Sequence, residues 1–251
     1  MTLGIVGEGA LADRVREAVA TDAAVAEGPA TEVAAADPDA VVAVGESALL
    51  ALVRAGVDAP VLPVDAGPGY GGIAADAATD GADPGPAIDA LVAGEFETEP
   101  RAVLGVSVGG ERAGRALADA MLVTTEPARI SEYAVRSRNE RVGRFRADGV
   151  VVSTPTGSHG YGRSAGGPLL EPASGVVGVV PVAPFAVNVD HWVVSTDRPV
   201  ELTVERDEGA VSLLLDDEAV REVPPHTPVA VREDGRLDLV RVAESPPFFE
   251  R

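Results

Sequence analysis

Short apolar runs alternate with helical stretches through the first third of the chain. Leu3 to Val6 reads as a buried strand, and Ala10 to Ala20 repeats apolar residues at Leu11, Val15 and Val19 along one helical face, so the chain opens as a βα unit. Val41 to Val44 is a second buried run, which turns at Gly45-Glu46-Ser47 into a helix over Ala48 to Arg54. Pro60 to Val64 is a further strand, residues 75–85 form an acidic surface stretch, and Ile88 to Val92 suggests a helix. At Glu95 to Pro100 charges and a proline interrupt the pattern, and beyond them the period changes from helical to alternating. Arg101 to Val108, Met121 to Val123, Ala128 to Val135 and Val150 to Val152 read as strands, with a polar turn over Ser137 to Gly143. Val193 to Ser195, Val200 to Val204, Val211 to Leu215, Val229 to Arg232 and Leu237 to Val242 continue the series. Many short strands at that spacing predict a sandwich. The expected architecture is an α/β N-terminal domain (residues 1–96), an all-β sandwich (97–240), and a tail (241–251) that packs Phe248 and Phe249 back on the first domain.

The uncharged run from Pro172 to Val189 is broken by Pro181 and Pro184, which predicts a pair of buried strands rather than a membrane span. The start MTLGIVGEG lacks the basic flank and long apolar region of a secretion signal, and a soluble, cytoplasmic protein is expected. The formal charge is −20, and every basic residue is arginine. A surface so acidic argues against nonspecific nucleic-acid binding, which needs clustered cations. It fits adaptation to concentrated salt, where screening offsets the self-repulsion of the folded state. With no cysteine, thiolate metal sites and disulfides are excluded, and the three histidines lack metal-ligand spacing.

Gly7-Glu8-Gly9-Ala10-Leu11-Ala12 satisfies a loose dinucleotide fingerprint at the first strand-to-helix turn. Its confirming feature would be a second strand ending in an acidic residue about 20 residues on. TDAAVAEGPATEV, which occupies that region, has little strand character, so a tight βα turn is the simpler reading.

The richest segment is DGVVVSTPTGSHGYGRSAGGPLL, Asp148 to Leu170, an apolar strand running into hydroxyls and glycines. Such residues are poor core material and good ligand-facing material: glycine permits close backbone approach, and hydroxyls supply short hydrogen bonds. On composition alone an ordinary Gly/Pro-rich loop is equally open. Asp148-Gly149, Thr154-Pro155-Thr156-Gly157-Ser158, Tyr161 and Ser164-Ala165-Gly166-Gly167-Pro168 resemble the signature of the NAD kinase family, with His159 and Gly160 where that family has Thr and Ala. The chain thus resembles a divergent, haloarchaeal-type member, which implies the NAD kinase fold.

The same resemblance sets Val44-Gly45-Glu46-Ser47-Ala48 over the family's Gly-Gly-Asp-Gly-Thr turn, implying that Glu46 takes the proton of the adenosine ribose 2′-hydroxyl and that Gly45 shapes the phosphate side. On the residues alone, Glu46 also reads as a first-turn acid complementing its helix dipole. Asp65 to Gly72 resembles the family's glycine-bearing loop. Ala116 to Asp119 resembles its Ala-Leu-Asn-acid stretch, with Ala118 lacking the amide and Asp119 retained. Phe185 replaces a family histidine, and Asp216 lies where the family has the Asp of an Asp-Gly turn between strands. By resemblance, Asp119, Asp148, Thr156, Gly157, Ser158, His159, Gly160, Tyr161 and Ser164 would hold NAD. ATP or polyphosphate would be the donor with Mg²⁺, and the assembly would be a homo-oligomer. An active NAD kinase and a non-catalytic nucleotide-binding relative both remain open, since the dinucleotide side is better kept than the acid-bearing turn.

Overall fold

In the computed structural model, which describes residues 1–19, 23–74, 83–126 and 129–249, the chain divides into two compact units. One comprises residues 1–101 with 237–251, and the other residues 102–236. The acidic stretch expected over 75–85 lies largely outside the described residues, as do the last two positions of the tail.

The first unit is built from β1 (Thr2–Val6), α1 (Ala10–Ala18), β2 (Ala24–Glu27), α2 (Ala30–Ala35), β3 (Ala40–Val44), α3 (Glu46–Ala55), β4 (Val61–Val64) and α4 (Gly85–Ala93). Its strands run parallel in the order β2-β1-β3-β4, and the C-terminal end of the last long strand adds alongside β4 through Leu239 and Val61. Leu3, Ile5, Val42, Leu62 and Val64 bury one sheet face with Val15 of α1 and Ile88 and Leu91 of α4. Their fully apolar runs are what a parallel sheet covered by helices requires. Gly56, in the left-handed region at φ 75°, ends α3 by donating to the Leu52 and Val53 carbonyls.

β2 corrects the sequence reading. TDAAVAEGPATEV does contain a strand, and that strand ends in an acid, Glu27. Its side chains are largely exposed because it is the edge of the sheet, so backbone pairing with β1 forms it without an apolar signature. The Glu27 carboxylate is engaged by Arg16, whose Nε donates to it at 3.2 Å while Nη2 donates to the Gly7 carbonyl at 3.1 Å.

The second unit contains the C-terminal part of β5 (Glu97–Val108), then β6 (Glu111–Ala116), β7 (Asp119–Thr124), β8 (Ser131–Ser137), β9 (Glu140–Ala147), β10 (Gly149–Ser153), a 3-10 turn (Gly157–His159) and α5 (Tyr161–Ser164). It continues with β11 (Val176–Val182), β12 (Trp192–Ser195), β13 (Val200–Arg206), β14 (Val211–Leu215), β15 (Glu218–Glu222) and the first part of β16 (Val229–Arg241). One antiparallel layer runs β16-β13-β8-β9, with β5 and β6 joined to it, and the other runs β12-β11-β10-β7-β14-β15. Tyr133, Val135, Phe145, Leu202 and Val204 of the first layer meet Leu122, Val150, Val152, Val179 and Leu213 of the second in one buried core. The expected sandwich is present.

Three details differ from expectation. Residues 172–189 hold one buried strand, β11, rather than two. Pro181 is tolerated in it because β12 pairs only with residues 176–179, leaving the far side of Pro181 without a ladder partner. Residues 229–241 form one continuous strand through Asp234-Gly235, with Gly235 at φ 117° taking the irregularity that the sequence suggested as a turn. The fully exposed β15 carries no apolar alternation, so pairing with β14 alone defines it.

Candidate functional site

Each unit carries candidate functional residues of its own. In the first, the parallel strands β1, β3 and β4 end at glycine-bearing turns, the region where open α/β sheets bind ligands. Gly45 has φ 86° and hydrogen-bonds from its N–H to the Val64 carbonyl at 2.8 Å, tying the turn after β3 to the end of β4. A Cβ on Gly45 would meet nothing within 4 Å, so the turn is open. Glu46 is the first residue of α3 and its side chain is exposed. Ser47 and Ala48 continue the helix in ordinary geometry, so the glycine and hydroxyl missing there leave no backbone strain behind.

The loop after β4 closes on itself. Asp65 N–H donates to the Ile73 carbonyl at 2.8 Å, and Ile73 N–H donates to the Pro63 carbonyl at 2.9 Å. Gly72, at φ 69°, lies so close to that proline carbonyl that no side chain fits. The loop carries the buried Tyr70, whose hydroxyl donates to Glu46 Oε1 at 2.7 Å. Sequence reasoning missed this residue. An aromatic inside a glycine-rich loop was the available signal. Near Gly71 lies Arg101, 2% exposed, with Nη2 on Glu99 at 3.1 Å and its guanidinium 4.7 Å from the Phe248 ring centroid. Burial pushes its pKa down, and the Glu99 charge opposes that.

In the second unit the signature segment is anchored to the turn between β6 and β7, and Asp216 fixes that turn. Its carboxylate accepts three backbone N–H groups, from Leu117 and Ala118 at 2.8 Å each and from Asp119 at 3.0 Å. Burial holds this carboxyl above the usual Asp range, because desolvation outweighs the pull of the three donors. The carbonyls of the same turn then receive the signature. Thr154 Oγ1 donates to Leu117 at 2.6 Å and lies 3.1 Å from the Ala118 carbonyl, and Gly157 N–H donates back to Thr154 Oγ1 at 3.1 Å. Gly157 is pressed against the Ala118 carbonyl, which explains a glycine there on close approach alone.

Of the predicted site residues, Ser158 is buried and occupied: its Oγ donates to the Pro155 carbonyl at 2.6 Å and accepts Leu170 N–H at 3.0 Å. Thr156 and Asp119 are buried, and His159 is half-buried. Exposed on the segment are Gly160, Ser164, with Oγ on the Gly160 carbonyl at 3.3 Å, and Tyr161, 45% exposed. Asp148 is exposed as well, at the start of the strand that leads in, and its carbonyl receives Thr124 N–H at 2.8 Å and the Tyr133 hydroxyl at 3.3 Å. The segment therefore splits into a buried knot, Thr154 to Ser158, and an edge that exposes Gly160, Tyr161 and Ser164. The knot fixes a backbone; the edge can meet a ligand.

Among the described residues no group of three or more His, Cys, Asp or Glu could hold a metal ion, and no helix is long and apolar enough to cross a membrane.

Residues 117–236 match the family described as ATP-NAD kinase C-terminal domain. The chain is 35% identical over 156 residues to the NAD kinase of Methanoculleus marisnigri, covering 62% of this chain and 57% of that one. It is 37% identical over 124 residues to the NAD kinase of Methanopyrus kandleri, covering 49% and 45%. The chain spans about half the length of these relatives. Its structure resembles yeast NADH kinase complexed with NADH, with TM-score 0.80 and 15% identity over 97% of this chain and 84% of that one. It also resembles the NAD kinase from Archaeoglobus fulgidus in complex with ATP, with TM-score 0.75 and 23% identity over 95% and 93%. These two likenesses establish the fold.

Proposed function

We infer that the chain belongs to the NAD kinase family, and from that premise we propose that it phosphorylates the adenosine ribose 2′-hydroxyl of NAD, with ATP or polyphosphate as donor, to give NADP. The observation that carries the chemistry is the position of Glu46: an exposed carboxylate at the head of α3, reached through an open glycine turn, with one oxygen on Tyr70. In the proposed reaction Glu46 accepts the 2′-hydroxyl proton as the ribose oxygen forms its bond to the terminal phosphorus. The bond from that phosphorus to the bridging oxygen breaks, the leaving ADP or shortened polyphosphate carries away the electron pair, and Glu46 then releases its proton to solvent. Phosphoryl transfer asks a protein mostly for positioning and electrostatics, and a turn with no lysine supplies these through backbone N–H groups.

Gly160, Tyr161, Ser164 and Asp148 form the proposed polar edge for the dinucleotide. Asp119, Thr156, Gly157, Ser158 and His159 hold that edge in shape or reach it from beneath, and Gly45 serves the phosphate side. Mg²⁺ enters this proposal with the donor phosphates, as part of the substrate. Cytoplasmic residence, a salt-adapted surface and a homo-oligomeric state complete the proposal.

The test is NADP formation by the purified chain in molar KCl with Mg²⁺, NAD, and ATP or polyphosphate, beside Glu46→Ala. The expected result is turnover that collapses by at least about 10²-fold in the variant, the scale of removing a general base. Turnover indifferent to Glu46 would sink the assigned role, and a protein that binds NAD yet turns over neither donor would be a binding protein.

A further inference from the structure

Glutamate is a poor choice for a fixed base, because it carries one more rotatable bond than aspartate and, on an exposed helix terminus, samples several rotamers. The structure answers this at Tyr70. The phenol is 5% exposed, so its ring is packed. The loop that carries it is pinned at both ends on β4 and stiffened at Gly72, where the backbone lies against the Pro63 carbonyl. From that rigid support the hydroxyl donates to Glu46 Oε1 at 2.7 Å, the length of a charge-assisted bond. Glu46 Oε2 makes no hydrogen bond to any described residue, and the side chain is otherwise exposed. One oxygen is held and the other is presented.

We propose that Tyr70 is the positioning residue for Glu46: it clamps Oε1 so that Oε2 faces the substrate hydroxyl, and it makes the longer carboxylate usable. The inference rests on the kinase reading above and extends it to a residue that touches neither substrate nor phosphate. The pairing is length-specific. Shortening residue 46 by one methylene withdraws the carboxylate by about 1.5 Å, the span of a C–C bond, and 2.7 Å becomes a separation beyond hydrogen bonding.

The experiment is a double-mutant cycle in the NADP-forming assay, using the unaltered chain, Tyr70→Phe, Glu46→Asp and the double variant, with kcat and the NAD KM measured separately and thermal midpoints recorded. Tyr70→Phe keeps the packed ring and removes only the hydroxyl. The expected result is a drop in kcat of about tenfold, the scale of one charge-assisted hydrogen bond, with KM for NAD within about twofold. In the Glu46→Asp background the same substitution should change kcat by less than about twofold, since the bond to the residue 46 carboxylate is already gone. A structural role for the hydroxyl would instead cost both backgrounds equally and lower the midpoint, which overturns the proposal. Equal activity of Tyr70→Phe and the unaltered chain overturns it too, while leaving the kinase reading intact. Absence of turnover in the unaltered chain removes that reading and this inference with it.

Discussion

Asp216→Asn isolates the contact on which the second unit's signature segment is built. Residue 216 sits at φ 52°, a conformation that asparagine tolerates as well as aspartate does, so the exchange adds no backbone strain. The carboxylate receives Leu117 N–H on Oδ2 and both Ala118 and Asp119 N–H on Oδ1. The asparagine amide can keep one acceptor for the Oδ1 pair, but its NH₂ then faces Leu117 N–H, donor against donor. One charge-assisted bond is lost and one enclosed donor is stranded, each worth about 1.5 to 3 kcal/mol. Removing a desolvated charge returns part of this, leaving a net loss of about 2 kcal/mol. For a chain of this size that is a fall of about 4 to 8 °C in thermal midpoint. Asp216→Ala strands three donors and places alanine at positive φ, and should cost about twice as much. The Leu117 and Ala118 carbonyls hold Thr154, so NAD affinity should weaken along with stability, in the order unaltered chain, Asn, Ala. The assays are thermal unfolding in molar KCl and an NAD titration on each protein. A midpoint for Asp216→Asn within about 1 °C of the unaltered chain would refute the reasoning, since it would mean the three bonds add nothing over water.

Two further outcomes are expected. Tyr133 is fully buried, and desolvation raises its phenol above 10.0, so the folded state keeps a proton that the unfolded chain releases; its contribution is complete below pH 10 and is lost as pH rises through the folded value. Chemical denaturation between pH 9 and 11, the interval about the ordinary tyrosine value, should show falling stability that Tyr133→Phe blunts, and identical pH profiles for the two proteins would exclude the assignment. With a formal charge of −20, the thermal midpoint should rise steeply with KCl, and a flat response would remove the case for a salt-adapted surface.

The two-layer organisation and the signature segment were legible in the chain itself, because both depend on local chemistry. Val41 to Val44 is apolar at every position, so it can be satisfied only with both faces covered, and the alternation in Val200 to Val204 can be satisfied only by a half-exposed sheet. The glycines and hydroxyls of 153–168 announce a backbone that does something other than pack. What the sequence could not carry is pairing at edges and at a distance. β2 and β15 have exposed side chains and exist because a neighbouring strand offers free backbone groups, so no residue pattern marks them. The division of labour within the signature was equally hidden. Ser158 reads as a ligand hydroxyl until Pro155 and Leu170 are seen to occupy it, and Asp216, 99 residues from Leu117, reads as a turn acid until three N–H groups converge on it. Tyr70 and Glu46 lie 24 residues apart, on different strand-to-helix connections. A sequence determines which groups are available, and only the fold decides which of them meet, because a hydrogen bond depends on a few tenths of an ångström of tertiary geometry that no local pattern encodes.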